Sequence, residues 1–279
     1  MADRPLNPED YIEPECVICG KPGNVKQPSE HIPQQRVSQR VDELMGKKDY
    51  EGTERTLKYW LAEAEACGDE QGRFFLYNEM MGFYRKTGKK EEGYKVIEEA
   101  VSMLEELGYE NSISGATCYT NAATVYTTFN EAEKGINMFL KAKDIYEANA
   151  EGNEFYLAGL YNNMATALSS LGNYDDATVY FFKAIETLTG VENSELELGQ
   201  TYLNLLDVHI SQHPYVDKDD ALVRYYLDTA RSYLDKETLE RDSYYSYVCD
   251  KCVDIYDYFD DKEYADELRE RIREIDERA

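Results

Sequence analysis

A small side chain recurs about every 42 residues, and that period restricts the folds open to this chain. Thr53, Gly93, Gly135, Ala177, Ala221 and Ala265 follow one another at spacings of 40, 42, 42, 44 and 44 residues. Large residues accompany them at fixed offsets. Four residues later stand Leu57, Ile97, Phe139, Phe181 and Tyr225, with Arg269 breaking the pattern. Seven later stand Trp60, Ala100, Ala142 and Ala184, then Asp228 and Ile272. Nine earlier stand Leu44, Tyr84, Tyr126, Leu168 and Tyr256. In the fifth repeat His209 takes that place, twelve before Ala221, because the segment HPYVDKDD lengthens the turn. Offsets of four and seven share one helical face. Two antiparallel helices approach closely only where one presents a small side chain, and large neighbours then interlock. One such pair cannot bury both its faces, so the pairs must stack. The chain is therefore expected to be an all-α solenoid of about six stacked antiparallel helix pairs. The charged final segment, EYADELRERIREIDERA, suits a terminal cap.

Proline sets the boundary of the array. Pro5, Pro8, Pro14, Pro22, Pro28 and Pro33 crowd the first 33 residues, and only Pro214 lies beyond them. Helix interiors exclude proline. Residues 1–34 are thus expected to be an irregular, non-helical tail, and 35–279 the repeat domain.

The clearest repeat reads YNNMATALSSLGNYDDATVYFFKAI. With the six registered occurrences it resembles the tetratricopeptide repeat, in its longer variant of about 42 residues. Segments such as NEMMGFYRKTGK and HIPQQRV are also similar to repeat proteins of anaerobic Gram-positive bacteria. The resemblance implies a right-handed superhelix whose concave groove is lined by the first helix of each pair. It also implies a peptide or another protein as partner.

In this register the groove positions lie on the first helices, off the packing stripe. Two residues after the first packing position come Gln39, Glu79, Asn121, Asn163, Asn204 and Lys251. Helix propensity disfavours asparagine, so three in succession need another reason. A carboxamide both donates and accepts, which suits an extended peptide backbone of any sequence. The resemblance implies the same use of these asparagines. Around them stand Thr117, Thr120, Thr124, Thr127 and Thr128, then Asn162, Thr166, Ser169 and Ser170, a neutral and hydroxyl-rich stretch. Arg85 and Lys86 flank it on one side, and Asp207, Asp250, Asp254 and Asp257 on the other. The competing reading is that these polar groups bond to neighbouring helices or to their own backbone.

Other chemistry is sparse. His209 and His213 are spaced as metal ligands on a helix can be, but His209 fills a packing place and no glutamate completes a metalloprotease pattern. No phosphate-binding loop or nucleophile elbow is present. Two Cys-x-x-Cys pairs, Cys16/Cys19 and Cys249/Cys252, suggest a four-cysteine zinc site. However, Cys249 and Cys252 occupy the packing positions of the sixth repeat and are expected to behave as small hydrophobes. That leaves Cys16 and Cys19 in CVICGKPG as half a zinc knuckle, with His31 as a third donor. The competing reading is a reduced, metal-free tail.

The net charge of −26 repels phosphate backbones and anionic lipid, and no apolar run reaches membrane-spanning length. MADRPLNPEDYIEPE lacks the pattern of a signal peptide, and six scattered cysteines fit a reducing cytoplasm. The expectation is a cytoplasmic, non-catalytic scaffold that binds a protein or an extended peptide. A peptide-sensing regulator with a metal- or redox-responsive knuckle is one alternative, and an enzyme is a more remote one.

Overall fold

The computed structural model describes residues 31–278, which form twelve α-helices and no strand. Cys16 and Cys19 lie outside the described residues. The chain divides into two compact units, Met1–Ile145 and Tyr146–Ala279. The first holds α1 (Gln34–Gly46), α2 (Tyr50–Cys67), α3 (Glu70–Thr87), α4 (Lys90–Leu107), α5 (Ile113–Thr128) and most of α6 (Ala132–Ala148). The second holds α7 (Glu154–Ser170), α8 (Tyr174–Leu188), α9 (Glu195–Gln212), α10 (Ala221–Leu234), α11 (Ser243–Tyr258) and α12 (Lys262–Asp276). Each is an all-α stack of antiparallel helix pairs.

The repeat is visible in the backbone. Lys48, Gly88, Asn130, Gly172 and Asp260 are all left-handed, with φ of 57°, 72°, 60°, 78° and 64°, at the tight turns inside five of the pairs. Gly88 and Gly172 meet this demand without strain, and Asn and Asp tolerate it better than most residues. Many helix starts carry an aspartate cap, such as Asp49, whose carboxylate accepts from the Gly52 amide.

The packing stripe is largely as read from the sequence. Thr53, Gly93, Gly135, Ala177 and Ala265 are buried, as are Leu57, Ile97, Phe139 and Phe181 four residues on. Gly135 shows why the place must be small. A Cβ there would lie 2.9 Å from the Ala123 carbonyl oxygen on α5 and 3.0 Å from its Cα.

Three positions differ. Ala221 is exposed, and so are Tyr225 and Asp228 after it. Val223, Leu227 and Ala230 are buried in their stead, at the same offsets of four and seven. The long turn before α10 moves the register two residues forward, to spacings of 46 and 42 around Val223. In the last helix Leu268 is buried where Arg269 is exposed. Arg271 is also buried there. It donates to Asp235 Oδ1 and to the Tyr245 hydroxyl, each at 2.8 Å, pairs with Glu267, and lies 5.7 Å from the Tyr264 ring. This ion cluster ties α12 to α11 and to the end of α10.

His209 is not the fully packed residue its position suggests. It is half-buried, its ring lies 4.9 Å from that of His213, and its Nε2 is buried without a partner. Burial, and then His213, lower its pKa below the ordinary 6.5, against an opposing pull from Asp220. Cys249 and Cys252 are buried in α11, where the Cys252 thiol donates to the Val248 carbonyl at 3.1 Å. Burial pushes the Cys249 thiol up to about 11 and raises that of Cys252 as well.

Two predictions follow from these differences. Val223→Asp places an unpaired charge in the stack and should destabilise the second unit by about 3–5 kcal/mol, whereas Ala221→Asp should stay within about 0.5 kcal/mol. Denaturant melts followed by circular dichroism distinguish them, and the opposite ranking would restore the uniform period. A lowered imidazole pKa means that the fold favours neutral His209. Its stability is complete above pH 6.5 and declines as acid protonates the ring. His209→Leu should therefore flatten the loss of stability between about pH 7 and 5, measured as melting temperature against pH.

Candidate peptide-binding face

The first helices α3, α5, α7 and α9 are buried on most sides and leave one narrow line of half-buried and exposed residues. On α3 that line is Glu79, Gly82 and Lys86, and on α5 it is Thr117, Asn121, Thr124 and Thr128. In the second unit it is Gly159, Asn163, Thr166 and Ser170 on α7, and Gln200, Asn204, Asp207 and Ser211 on α9. Steps of three and four keep each line on one helical face.

Within each unit, hydrogen bonds join neighbouring lines. Asn121 Nδ2 donates to Asn78 Oδ1 at 3.0 Å, and buried Asn78 donates in turn to the Phe74 carbonyl at 2.9 Å. The second unit repeats the device. Asn204 Nδ2 reaches Asn162 Oδ1 at 3.5 Å, while Asn162 donates to the Ala158 carbonyl at 3.3 Å. The Thr201 hydroxyl, 3.1 Å from the same Asn162 oxygen, shares its hydrogen with the Glu197 carbonyl at 2.6 Å. An asparagine one place before the expected position thus holds, on the next first helix, an asparagine at that position. Sequence reading identified Asn121 and Asn204 but missed Asn78. The signal was the 43-residue gap between Asn78 and Asn121, close to the 42 between Asn162 and Asn204.

The asparagines are not spent by this bonding. Asn121 and Asn204 each retain a carbonyl oxygen and one N–H without partners among the described residues, and Asn163 carries no side-chain bond there. The hydroxyls are a different matter. Thr120, Thr124, Thr128 and Thr166 all donate to the carbonyl four residues earlier, and Ser170 to the Ala167 carbonyl. Thr120 is also buried, which removes it from the face. A hydroxyl has one hydrogen, so the remaining side chains present acceptor oxygens, with methyl groups on the threonines, and not donors. The expected hydroxyl-rich surface is in donor terms a carboxamide surface.

Charge varies along the lines. Burial, with a contribution from Asp42 on α1, pushes the Glu79 carboxyl up to about 7. Below that pH it is a neutral group able to donate. Burial also raises the pKa of Asp207. Arg85 is half-buried, whereas Lys86 beside it is exposed. His31 does not lie on this face; its Nδ1 is 3.0 Å from buried Asp69. No three metal-ligating side chains converge among the described residues, and no helix there is long and apolar enough to cross a membrane.

Gly82 and Gly159 sit in the middle of helices with nothing within 4 Å of a built Cβ. Packing does not require either one, and each costs its helix about 0.5–1 kcal/mol relative to alanine. A glycine on an open line lets another backbone come close to the helix.

These stacked pairs define a helical-repeat protein. Residues 157–189, which span α7 and α8, match the family model described as tetratricopeptide repeat. Over those residues the chain is similar to that family. It is 29% identical over 125 residues to Protein KINESIN LIGHT CHAIN-RELATED 3 of Arabidopsis thaliana, covering 43% of this chain and 19% of that one. It is 23% identical over 163 residues to Protein KINESIN LIGHT CHAIN-RELATED 2 of the same plant, covering 58% and 24%. The chain thus spans about a quarter or less of the curated relatives it matches. Among solved structures, BtubC (BKLC) from P. vanneervenii superposes with a TM-score of 0.61 at 19% identity, covering 72% of this chain and 79% of that one. That likeness is one of fold.

The inter-helix asparagine bond can be tested by stability. Asn78→Ala leaves Asn121 without its acceptor inside the stack and should cost about 1–3 kcal/mol. Thr128→Ala, which is exposed and bonded only to its own helix, should change stability by less than about 0.5 kcal/mol. Equal effects in a denaturant melt would remove the asparagine contact as a stacking element.

Proposed function

We propose that this chain is a non-catalytic scaffold that binds an extended peptide or flexible protein segment along the solvent-facing lines of its first helices. Helical repeats of this class generally mediate protein–protein contact, which supports a scaffold role. The observation that carries the finer reading is the pairing of unspent carboxamides with packing-free glycines on the same lines. Asn163 and the free groups of Asn121 and Asn204 offer donors and acceptors to a peptide backbone irrespective of side chain. Gly82 and Gly159 allow that backbone to approach. The uncharged lines of α5 and α7 avoid the desolvation cost of burying charge under a ligand. On the first unit's lines Lys86 suits an acidic group, and on the second unit's lines Asp207 suits a basic one. As in other modes of peptide recognition, main-chain hydrogen bonds supply affinity and the charged margins supply selectivity.

The test separates binding from folding. Affinity capture from source-cell lysate is run with the wild type, with Asn121, Asn163 and Asn204 all changed to Ala, and with Gly159→Ala. The triple variant should lose the captured partner at unchanged helical content. Gly159→Ala should raise helix stability by up to about 1 kcal/mol yet weaken capture. Undiminished capture by both variants would sink the proposal.

A further inference from the structure

The open line of α7 starts between two aromatic rings. Phe155 and Tyr156 are 42% and 51% exposed. Helix geometry, at about 100° per residue, sets Phe155 about 40° to one side of Gly159 and Tyr156 about 60° to the other. The rings therefore flank the line, and Gly159 follows as a bare floor where a built Cβ would meet nothing within 4 Å. Tyr156 is held in place, because its ring lies parallel to that of buried Tyr146 with centroids 6.1 Å apart. Its hydroxyl makes no hydrogen bond among the described residues, and Phe155 makes no ring contact there. Single exposed apolar residues are ordinary, but adjacent rings on both sides of a bare backbone form a patch that packing does not account for.

Charge limits what this cradle can hold. From Phe155 to Ser170 the helix carries no charged residue, in a chain that is 31% charged. Beyond the rings the line offers Asn163, whose carboxamide is unused among the described residues, and then the acceptor oxygens of Thr166 and Ser170. The matching ligand group is flat, apolar and neutral, on a backbone with carbonyls to spare. A polyproline II strand has these properties. It makes no internal hydrogen bonds, its rings lie against aromatic faces, and it is extended before binding, which lowers the ordering cost. The spacing agrees. From Tyr156 to Asn163 is about 10 Å along the helix, and one turn of polyproline II rises about 9 Å. We infer that Phe155 and Tyr156 form the subsite for a proline of an extended peptide, with Gly159 beneath it and Asn163 donating to a backbone carbonyl one strand turn away. This rests on the reading of the lines as a peptide-binding face and adds the chemical class of the ligand.

The experiment uses the full chain and labelled peptides of equal length, with binding read by fluorescence anisotropy. The probes are an oligoproline, a glycine–serine peptide, and glycine–serine peptides carrying one leucine or one lysine. The oligoproline should bind most tightly. Phe155→Ala and Tyr156→Ala should each weaken it about tenfold. Tyr215→Ala, in the exposed turn before α10, should leave it unchanged. Phe155 supports no ring packing, so unchanged circular dichroism in Phe155→Ala assigns its effect to binding. No binding of oligoproline, equal or tighter binding of the leucine or lysine peptide, or wild-type affinity in both aromatic variants would overturn the inference. Lysate capture separates this failure from that of the wider reading. If the triple asparagine variant loses its partner while both aromatic variants keep it, the peptide face stands and the proline subsite falls. If all three variants keep it, both readings fall.

Discussion

The approach of two helices at a small residue is the contact on which the rest of each unit depends. Gly135 against the Ala123 backbone is its tightest instance. Once that distance is set, the residues four and seven places further along have one orientation, facing the partner helix. Phe139 and Ala142 are completely buried as a result. The burial of the pair also determines what is left over. A first helix flanked by its partner and by neighbouring pairs retains one line of solvent-facing residues.

Much of this was legible in the sequence because the constraint is periodic. A small residue flanked by large ones at fixed offsets registers even when individual identities drift. Legibility failed where the period broke. Ala221 looked correct by type, but the turn before it is long, and only packing against α9 shows that Val223 takes the small place. Chain length between helices does not report how a turn spends its residues. Pro33 directly precedes α1, whereas the bond from His31 to Asp69, 38 residues away, has no local signature.

The polar face was legible by position and less so by chemistry. Counting threonines on a helix suggested free hydroxyls. A threonine on a solvated helix face has a carbonyl four residues back within reach, and Thr117, Thr120, Thr124, Thr127 and Thr128 all use it. Their donors are therefore consumed locally. Asparagine in these helices behaves differently. Asn78 and Asn162 also donate back to their own helix, but the carboxamide has a second end that reaches the next repeat. This is why asparagine, and not threonine, both ties pairs together and retains capacity for a ligand.

That dual use links stacking to recognition. Asn121 gives one N–H to Asn78 and keeps its remaining oxygen and N–H without partners among the described residues, on the line it shares with Thr124 and Thr128. Its orientation is fixed by the bond within the stack, so a peptide that engages it meets a group already placed, and the ordering cost of that side chain is met on folding. The mid-helix glycines show the reverse trade. Gly82 and Gly159 give up helix stability at places where packing asks for nothing. Stability is spent on the lines and recovered between the helices, a division expected where a rigid frame carries a binding surface and not where the surface is merely solvated.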